Sequence, residues 1–178
     1  MIASDTHGSS LYCEKLMERY EEERPDKLLL LGDLLYHGPR NDLPNGYDPK
    51  RVIDLLNEKK DVLLCIRGNC DCDVDQMVLQ FPIMADYAFL HIDGVDIYVT
   101  HGHVYNQNKP MPGVKGYLLC GHTHVPCVEE CEGFTYLNPG SVSIPKNGSK
   151  RSYMLLEDGV FVWKDLEEGK VYMEHKAI

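Results

Sequence analysis

The sequence contains no long hydrophobic run. Its longest apolar stretches, Leu28 to Leu31 and Val62 to Ile66, have the length of a buried strand, whereas a membrane-spanning helix needs about 20 apolar residues. Met1 to Ser4 also lacks the charged and hydrophobic regions of a secretory signal peptide. We therefore expect a protein that stays in the cytoplasm and has no membrane partner.

Positive charge is scarce relative to negative charge. The chain has 18 Lys and Arg against 28 Asp and Glu, a formal net charge of -10. Because nucleic-acid backbones are bound mainly through cations that neutralise phosphates, this balance argues against a nucleic-acid polymer as partner. A small anion can still be a partner of this acidic chain if bound metal supplies local positive charge. The sequence leaves a homo-oligomer open.

The seven cysteines do not form the pattern of a disulfide framework, since their number is odd and Cys65 and Cys120 fall inside predicted buried strands. We therefore expect reduced thiols. Cys70-x-Cys72 and Cys127-x-x-x-Cys131 lack the two-residue spacer of a zinc knuckle, which disfavours a structural zinc site.

The apolar pattern predicts an α/β fold. Strands alternate with helices early in the chain, and Asp93-Gly94 and Asp158-Gly159 indicate hairpins later. The chain of 178 residues suits one domain, 1–178, built as two packed mixed β-sheets flanked by helices, an αββα sandwich. The predicted helices run from Ser9 or Ser10 to Arg24, Asp48 to Lys59 and Asp73 to Phe81. The predicted strands are Met1 to Ser4, whose start we leave open, Lys27 to Leu31, Val62 to Arg67, Leu90 to Ile92, Val95 to Thr100, Tyr117 to Cys120, Phe134 to Leu137, Ser152 to Glu157, Val160 to Lys164 and Val171 to Glu174.

Side chains that can bind metal follow the ends of these strands. Two imidazoles, His122 and His124, stand one residue apart after Gly121, and this spacing suits two adjacent ions better than one. The other candidates in equivalent positions are Asp5, His7, Asp33, Asn69 and His101. Because open α/β sheets place their sites at the carboxyl ends of strands, we expect all seven side chains to meet.

Imidazole and carboxylate ligands suit Mn, Fe, Co, Ni or Zn. Seven ligands exceed the needs of one ion, whereas two ions that share Asp33 would each have four. This is the composition of a two-metal hydrolase, whose ions lie roughly 3.5 to 4 Å apart and lower the pKa of a bridging water. Two divalent ions, Asp5, Asp33 and a bridging hydroxide leave a local charge of about +1, which suits a phosphate oxyanion.

Each motif also has a purely structural interpretation. An Asp-x-His pair can cap a helix, a Gly-Asp pair can form a turn, and Gly68-Asn69 can be a left-handed turn. Any one motif alone is better explained in this way. Five in series, each directly after a strand, favour a site. For His103 two interpretations are equally supported: it contacts the metal ligands or the substrate, or it is a surface histidine whose hydrogen bonds are satisfied.

The motifs resemble the sequence blocks of the calcineurin-like metallophosphoesterase superfamily, in order and over nearly the whole chain. The blocks are Asp5-Thr6-His7, Gly32-Asp33, Gly68-Asn69, His101-Gly102 and Gly121-His122-Thr123-His124. Three further stretches look specifically like the bacterial YfcE-type phosphodiesterases: Asn69-Cys70-Asp71, the loop from His37 to Asn41, and Asn138 to Pro145.

This resemblance implies a binuclear metal-dependent enzyme that hydrolyses small phosphodiesters by a metal-bridging hydroxide. Its cofactors would be two divalent ions, Mn2+ in the first place, with Fe, Zn, Ni and Co as alternatives. Metal 1 would take Asp5, His7, Asp33 and His124, and metal 2 would take Asp33, Asn69, His101 and His122.

One position departs from the wider superfamily, in which many members have a histidine directly after the asparagine, where it protonates the leaving oxygen. Here that position is Cys70, and a thiol with an ordinary pKa near 8.5 is a poor proton donor. The identity of the general acid is therefore open. His37, His103 and Arg40 are candidates, and Asn69 and Cys70 complete the set of predicted catalytic residues.

Three other functions compete with a phosphodiesterase. A phosphomonoesterase or protein phosphatase is the nearest alternative, and a nuclease is disfavoured by the net charge. A non-catalytic scaffold, like the retromer subunit of the same fold, is the third. That subunit lacks a full ligand set, so the seven candidate ligands here favour chemistry.

Overall fold

A computed structural model describes residues 1–177 and contains three helices and eleven strands within them. The helices are α1 (Ser10–Glu23), α2 (Pro49–Glu58) and α3 (Asp73–Val78). The strands are β1 (Ile2–Ala3), β2 (Leu28–Leu30), β3 (Leu63–Cys65), β4 (Tyr87–Ile92), β5 (Val95–Thr100), β6 (Gly116–Leu119), β7 (Cys127–Cys131), β8 (Phe134–Asn138), β9 (Ser152–Glu157), β10 (Val160–Asp165) and β11 (Val171–Lys176).

The strands form one six-stranded and one five-stranded sheet. The first has the order β11-β10-β9-β1-β2-β3, and the second β4-β5-β6-β8-β7. Strands β1, β2 and β3 are parallel, whereas β9, β10 and β11 pair antiparallel. The second sheet is mixed as well, because β5, β6 and β8 are parallel and both of its edge strands are antiparallel. The predicted fold class is confirmed.

Two layers of core flank the first sheet. Between the sheets, Trp163, Phe161 and Met154 pack with apolar residues of β2, β5, β6 and β8. On the other face of the first sheet, buried residues of α1 and α2 pack with Leu28 and Leu30. Because both faces of β2 are buried, its sequence is continuously apolar.

Side-chain caps fix the starts of the two long helices. The Ser9 hydroxyl accepts the Tyr12 N–H at the start of α1, and Arg24 ends that helix in the left-handed conformation, with φ 50°. The Asp48 carboxylate accepts the Arg51 N–H at the start of α2. The predicted extents of both helices are confirmed.

Three elements differ from the prediction. β4 begins at Tyr87, three residues before the predicted Leu90. α3 ends at Val78 and not at Phe81, because Leu79 becomes extended and both Leu79 and Phe81 turn into the core, while no residue of α3 is buried. β7 was absent from the prediction. Among the described strands it is an edge strand that pairs with β8 alone, and its Cys-Val-Glu-Glu-Cys sequence has no clear apolar alternation.

At the amino end of the parallel strands the sandwich is open. β1 pairs only Ile2 and Ala3 with β2, and a largely apolar cavity of about 490 Å³ lies beside Met1, between Leu29 of the first sheet and Ile97 of the second. Within the described residues, each helix is too short or too polar to cross a membrane.

At the opposite end, five strands point their carboxyl ends at one region. β1, β2 and β3 lead into Asp5, Asp33 and Asn69, and β5 and β6 lead into His101 and His122. The seven candidate ligands therefore share one end of the sandwich.

Close backbone approach at this end requires glycine at position 68. A Cβ atom on Gly68 would lie 2.1 Å from Asp33 Oδ1 and 2.3 Å from the Asp33 backbone nitrogen. Gly133 offers a matched control, since its Cβ would meet no atom within 4 Å although its φ is +87°.

We expect Gly68→Ala to lower the free energy of unfolding by about 3 kcal/mol, the upper end of overpacking costs. Gly133→Ala should cost about 1 kcal/mol, from the left-handed backbone alone. Urea denaturation of both variants measures the difference. Equal losses would show that the Gly68 contact does not constrain the fold.

Candidate metal centre

Three buried histidines are oriented in the same way. Each places Nδ1 against a backbone carbonyl: His7 on Tyr36 at 2.8 Å, His101 on Leu31 at 2.6 Å and His124 on Ile144 at 2.6 Å. Because a carbonyl oxygen only accepts, Nδ1 carries the hydrogen and the neutral ring presents the Nε2 lone pair. Metal-binding histidines are commonly held in this manner.

These Nε2 atoms converge on two buried carboxylates. Asp5 Oδ1 lies 3.2 Å from Nε2 of His124 and 3.4 Å from Nε2 of His7. Asp33 Oδ2 lies 3.5 Å from Nε2 of His101 and 3.7 Å from Nε2 of His7. Asn69 also belongs to this cluster, because its Oδ1 lies 3.2 Å from Nε2 of His101.

The side chains form three groups, in each of which the ligand atoms lie within 4.8 Å of one another. Asp5, His7 and His124 form one, and Asp33, His101 and His122 form another. The third, of His7, Asp33 and Cys70, shares a residue with each of these and links them. The structure thus brings together all seven residues that the sequence singles out as candidate ligands.

The chemistry of these side chains suits a bound cation. Asp5 Oδ1 is buried and has no hydrogen-bond partner among the described residues. The Nε2 atoms of His7 and His124 lie 3.1 Å apart, where two lone pairs repel unless positive charge lies between or beside them. A divalent ion or a proton supplies that charge.

Five of the candidate ligands have a left-handed backbone. Their φ values are 59° for Asp5, 46° for His7, 55° for Asp33, 64° for His122 and 61° for His124. Non-glycine residues adopt this conformation rarely, and strained residues of this kind cluster at functional sites. The turns direct side chains from separate strands into one volume.

Asp71 ties two of the ligand loops together. Its carboxylate accepts the backbone N–H groups of Asp33 and Leu34 at 2.8 Å each and of Gly68 at 2.7 Å. The Cys70 N–H in turn donates to Asp33 Oδ1 at 2.8 Å. Asp71 therefore holds the Asp33 loop in register with the loop that carries Asn69.

The segment from Asn138 to Ser143 supports Asp5 from the other side. The hydroxyls of Ser141 and Ser143 donate to the Asp5 carbonyl at 2.8 and 2.9 Å. Asn138 Nδ2 donates to the carbonyl of Gly121 at 2.6 Å, and Trp163 donates its indole N–H to the Asn138 carbonyl at 2.7 Å. The core is thereby connected directly to the ligand turns.

The histidines of the centre differ in the direction in which their surroundings shift the pKa. Burial alone lowers the pKa of His101, but its contact with Asp33 and the charge of Asp5 outweigh burial and raise that pKa to about 9. Burial, with the charge of His101 added, lowers the pKa of His122 to about 4. Burial raises the pKa of Asp5, yet His124 and His7 reverse the effect and hold this pKa well below its ordinary value.

A small cavity of about 50 Å³ opens above these ligands. Two of the catalytic candidates from the sequence, Arg40 and Cys70, line this cavity, and Lys146 lines it as well. His37 is not among the residues that line this cavity. Its ring packs edge-on against Tyr36 and Tyr47, with centroids 4.8 and 5.4 Å away.

His103 lies beside metal-site histidines. Its ring centroid is 5.4 Å from that of His101 and 6.2 Å from that of His122. Burial, followed by the charge of His101, lowers the pKa of His103. The Nδ1 atom is buried without a hydrogen-bond partner among the described residues, so the ring retains a free polar atom next to the centre.

Sequence reasoning missed Asp71, the two serines and Lys146. Asp71 lies within Asn69-Cys70-Asp71 and both serines lie within Asn138 to Pro145, but their partners are backbone groups of other loops, for which no side-chain motif exists. Lys146 directly follows such a stretch, and only the fold places it at the cavity.

Comparisons with known proteins show what this chain is similar to. The family profile described as calcineurin-like phosphoesterase superfamily domain matches residues 1–158. Phosphodiesterase YfcE of Escherichia coli (strain K12) is 43% identical over 161 residues, which cover 90% of this chain and 88% of that protein. The solved structure of the E. coli phosphoesterase YfcE matches at a TM-score of 0.95 and 38% identity, over 100% of this chain and 98% of that chain.

A more distant structural match is a single mutant of Vps29 from Entamoeba histolytica. Its TM-score is 0.63 at 21% identity, over 98% of this chain and 96% of that chain. This likeness shows the fold alone.

The raised pKa of His101 predicts that metal uptake releases a proton. With a pKa of about 9, metal-free His101 is protonated at pH 7, whereas a metal ligand must be a neutral imidazole. The apparent affinity for the ion on His101 should rise by about tenfold per pH unit up to about pH 9 and then level off.

Calorimetry with Mn2+ in buffers of different ionisation enthalpy measures this release. We expect one proton more from this residue at pH 7 than at pH 10. His91→Gln, which removes an exposed histidine paired with Asp96, is the control and should leave the release unchanged. Absence of any released proton at pH 7 would contradict the assigned charge of His101.

Proposed function

Because the chain belongs to the calcineurin-like phosphoesterase superfamily, we propose that it is a binuclear metal-dependent phosphodiesterase that acts on small phosphodiesters. The observation that carries this proposal is the convergence of the Nε2 atoms of His7, His101 and His124 on Asp5 and Asp33. The presence of all seven candidate ligands at one place favours catalysis over the scaffold alternative.

The proposed ligand sets extend two of the observed groups, by adding Asp33 to the first and Asn69 to the second. Asp5, His7, Asp33 and His124 would hold one ion, and Asp33, Asn69, His101 and His122 the other. Bound there, two divalent ions supply Lewis-acid activation of water and neutralise charge on the phosphate. We propose Mn2+ in the first place, with Fe, Zn, Ni or Co as alternatives for this nitrogen and oxygen donor set.

Among the described residues, the Cys70 thiol and the His103 and His122 rings are poor proton donors for a leaving group. Burial and the neighbouring Asp33 raise the pKa of the Cys70 thiol, which keeps it protonated and makes it a weak acid. The lowered pKa values of His103 and His122 leave both rings neutral at pH 7 in the absence of other charges. Leaving groups that depart without a proton should therefore react best.

A first prediction concerns metal content. Asp33→Ala should remove both ions, because Asp33 belongs to both proposed sets, and Asn69→Ala should empty mainly one site. Asp96→Ala, which removes an exposed carboxylate paired with His91, should keep both. Elemental analysis after gel filtration measures the content. Two ions per chain in Asp33→Ala would contradict the shared role.

A second prediction concerns the reaction. Mn-loaded protein should hydrolyse bis(p-nitrophenyl) phosphate faster than p-nitrophenyl phosphate, because a local charge of about +1 at the centre matches a singly charged diester better than a doubly charged monoester. Initial rates of p-nitrophenol release measure both. Equal or faster turnover of the monoester would support the phosphomonoesterase alternative instead.

A third prediction tests the missing general acid. Cys70→His should raise the rate on diesters with poor leaving groups, up to roughly a hundredfold, and change activated diesters little. Cys72→His is the matched control, since Cys72 is exposed and not part of the cavity wall. If both variants change the rates in the same way, the lack of a general acid at position 70 does not limit the reaction.

A further inference from the structure

Two cations stand at the mouth of the metal centre. Arg40 and Lys146 both line the cavity above the ligands. Both are exposed, whereas Asp5, His7 and His124 below them are at most 2% exposed. The cations therefore lie at the rim, and the candidate metal ligands form the floor.

The positions of both cations are tied to the metal ligands through the backbone. The Tyr36 carbonyl orients His7, and the same loop carries Arg40 four residues later. The Ile144 carbonyl orients His124, and Lys146 follows two residues later, where its own N–H donates to the His124 carbonyl at 3.3 Å. Both cations thus belong to the side of the site formed by Asp5, His7 and His124.

The charge of this rim differs from that of the rest of the protein. The chain as a whole has a net charge of -10, yet the cavity wall contains two cationic side chains, and its one carboxylate is the buried Asp33. Within the described residues, neither cation forms an ion pair with a carboxylate, while other basic side chains such as Arg51 and Lys164 do.

From this placement we propose that Arg40 and Lys146 bind a second anionic group, a phosphate or carboxylate, on one ester arm of the substrate. The proposal rests on the proposed function, in which the reacting phosphate occupies the floor. The cavity of about 50 Å³ accepts little more than that phosphate. The ester arms must then extend past the rim, where exposed cations meet them. The substrate class is a phosphodiester with a further anionic group.

Two activated diesters that differ by one remote phosphate test this proposal. Thymidine 5′-(p-nitrophenyl phosphate) has a single anionic group, and its 3′-phosphorylated form has a second one. The Mn-loaded protein should show about tenfold higher kcat/KM for the phosphorylated form, mainly through KM, because the rim acts on binding and not on the reacting atoms. The preference should decrease with added salt.

Variants identify the residues responsible. Lys146→Gln and Arg40→Gln should each reduce the ratio of the two kcat/KM values several-fold, and Lys146→Arg should restore most of it. Lys60→Gln is the control, because Lys60 contacts Gln80 and is absent from the cavity wall. An equal loss on both substrates would overturn the proposal and assign the cations to the reacting phosphate.

A binding measurement separates this proposal from the proposed function. Thymidine 3′,5′-bisphosphate should bind the protein several-fold more tightly than thymidine 5′-monophosphate by calorimetry, with the difference lost in Lys146→Gln. If neither diester is hydrolysed, the proposed function fails, and this preference still tests the rim. If both diesters are hydrolysed equally well and the two nucleotides bind equally, the rim proposal fails and the phosphodiesterase proposal stands.

Discussion

In the metal centre the fold holds close together several groups that repel one another. Nε2 atoms of His7 and His124 lie 3.1 Å apart, and both face Asp5, whose Oδ1 is buried without a hydrogen-bond partner among the described residues. Backbone carbonyls fix each ring from behind, so the rings cannot turn away without losing a buried hydrogen bond. Positive charge, from protons or from metal, relieves the repulsion.

The rest of the structure serves to impose this arrangement. Left-handed conformations at five candidate ligands cost of order 1–3 kcal/mol each, and such strain persists only where the surroundings determine the backbone fully. Asp71 provides this on one side by accepting three backbone N–H groups. Ser141 and Ser143 provide it on the other side through the Asp5 carbonyl. The two sheets then bring both halves to the same end of the sandwich.

Much of this centre could be predicted from the sequence, because parallel strands align their carboxyl ends and the polar residues after them are recognisable by type. Asp33 after β2 and His101 after β5 are examples. The role of Asp71 could not be predicted, since its partners are backbone groups of distant loops. Lys146 reaches the cavity only because its loop is tied to His124. β7 was missed for a different reason: an edge strand with half-buried residues lacks the period that marks a strand.

The most direct test of the account is a crystal structure of the Mn-loaded protein with anomalous data collected near the manganese edge. The account predicts two peaks within about 4 Å of each other, one in contact with Nε2 of His7 and His124 and the other with Nε2 of His101, with Asp33 touching both. A single peak, or metal bound away from these residues, would contradict it.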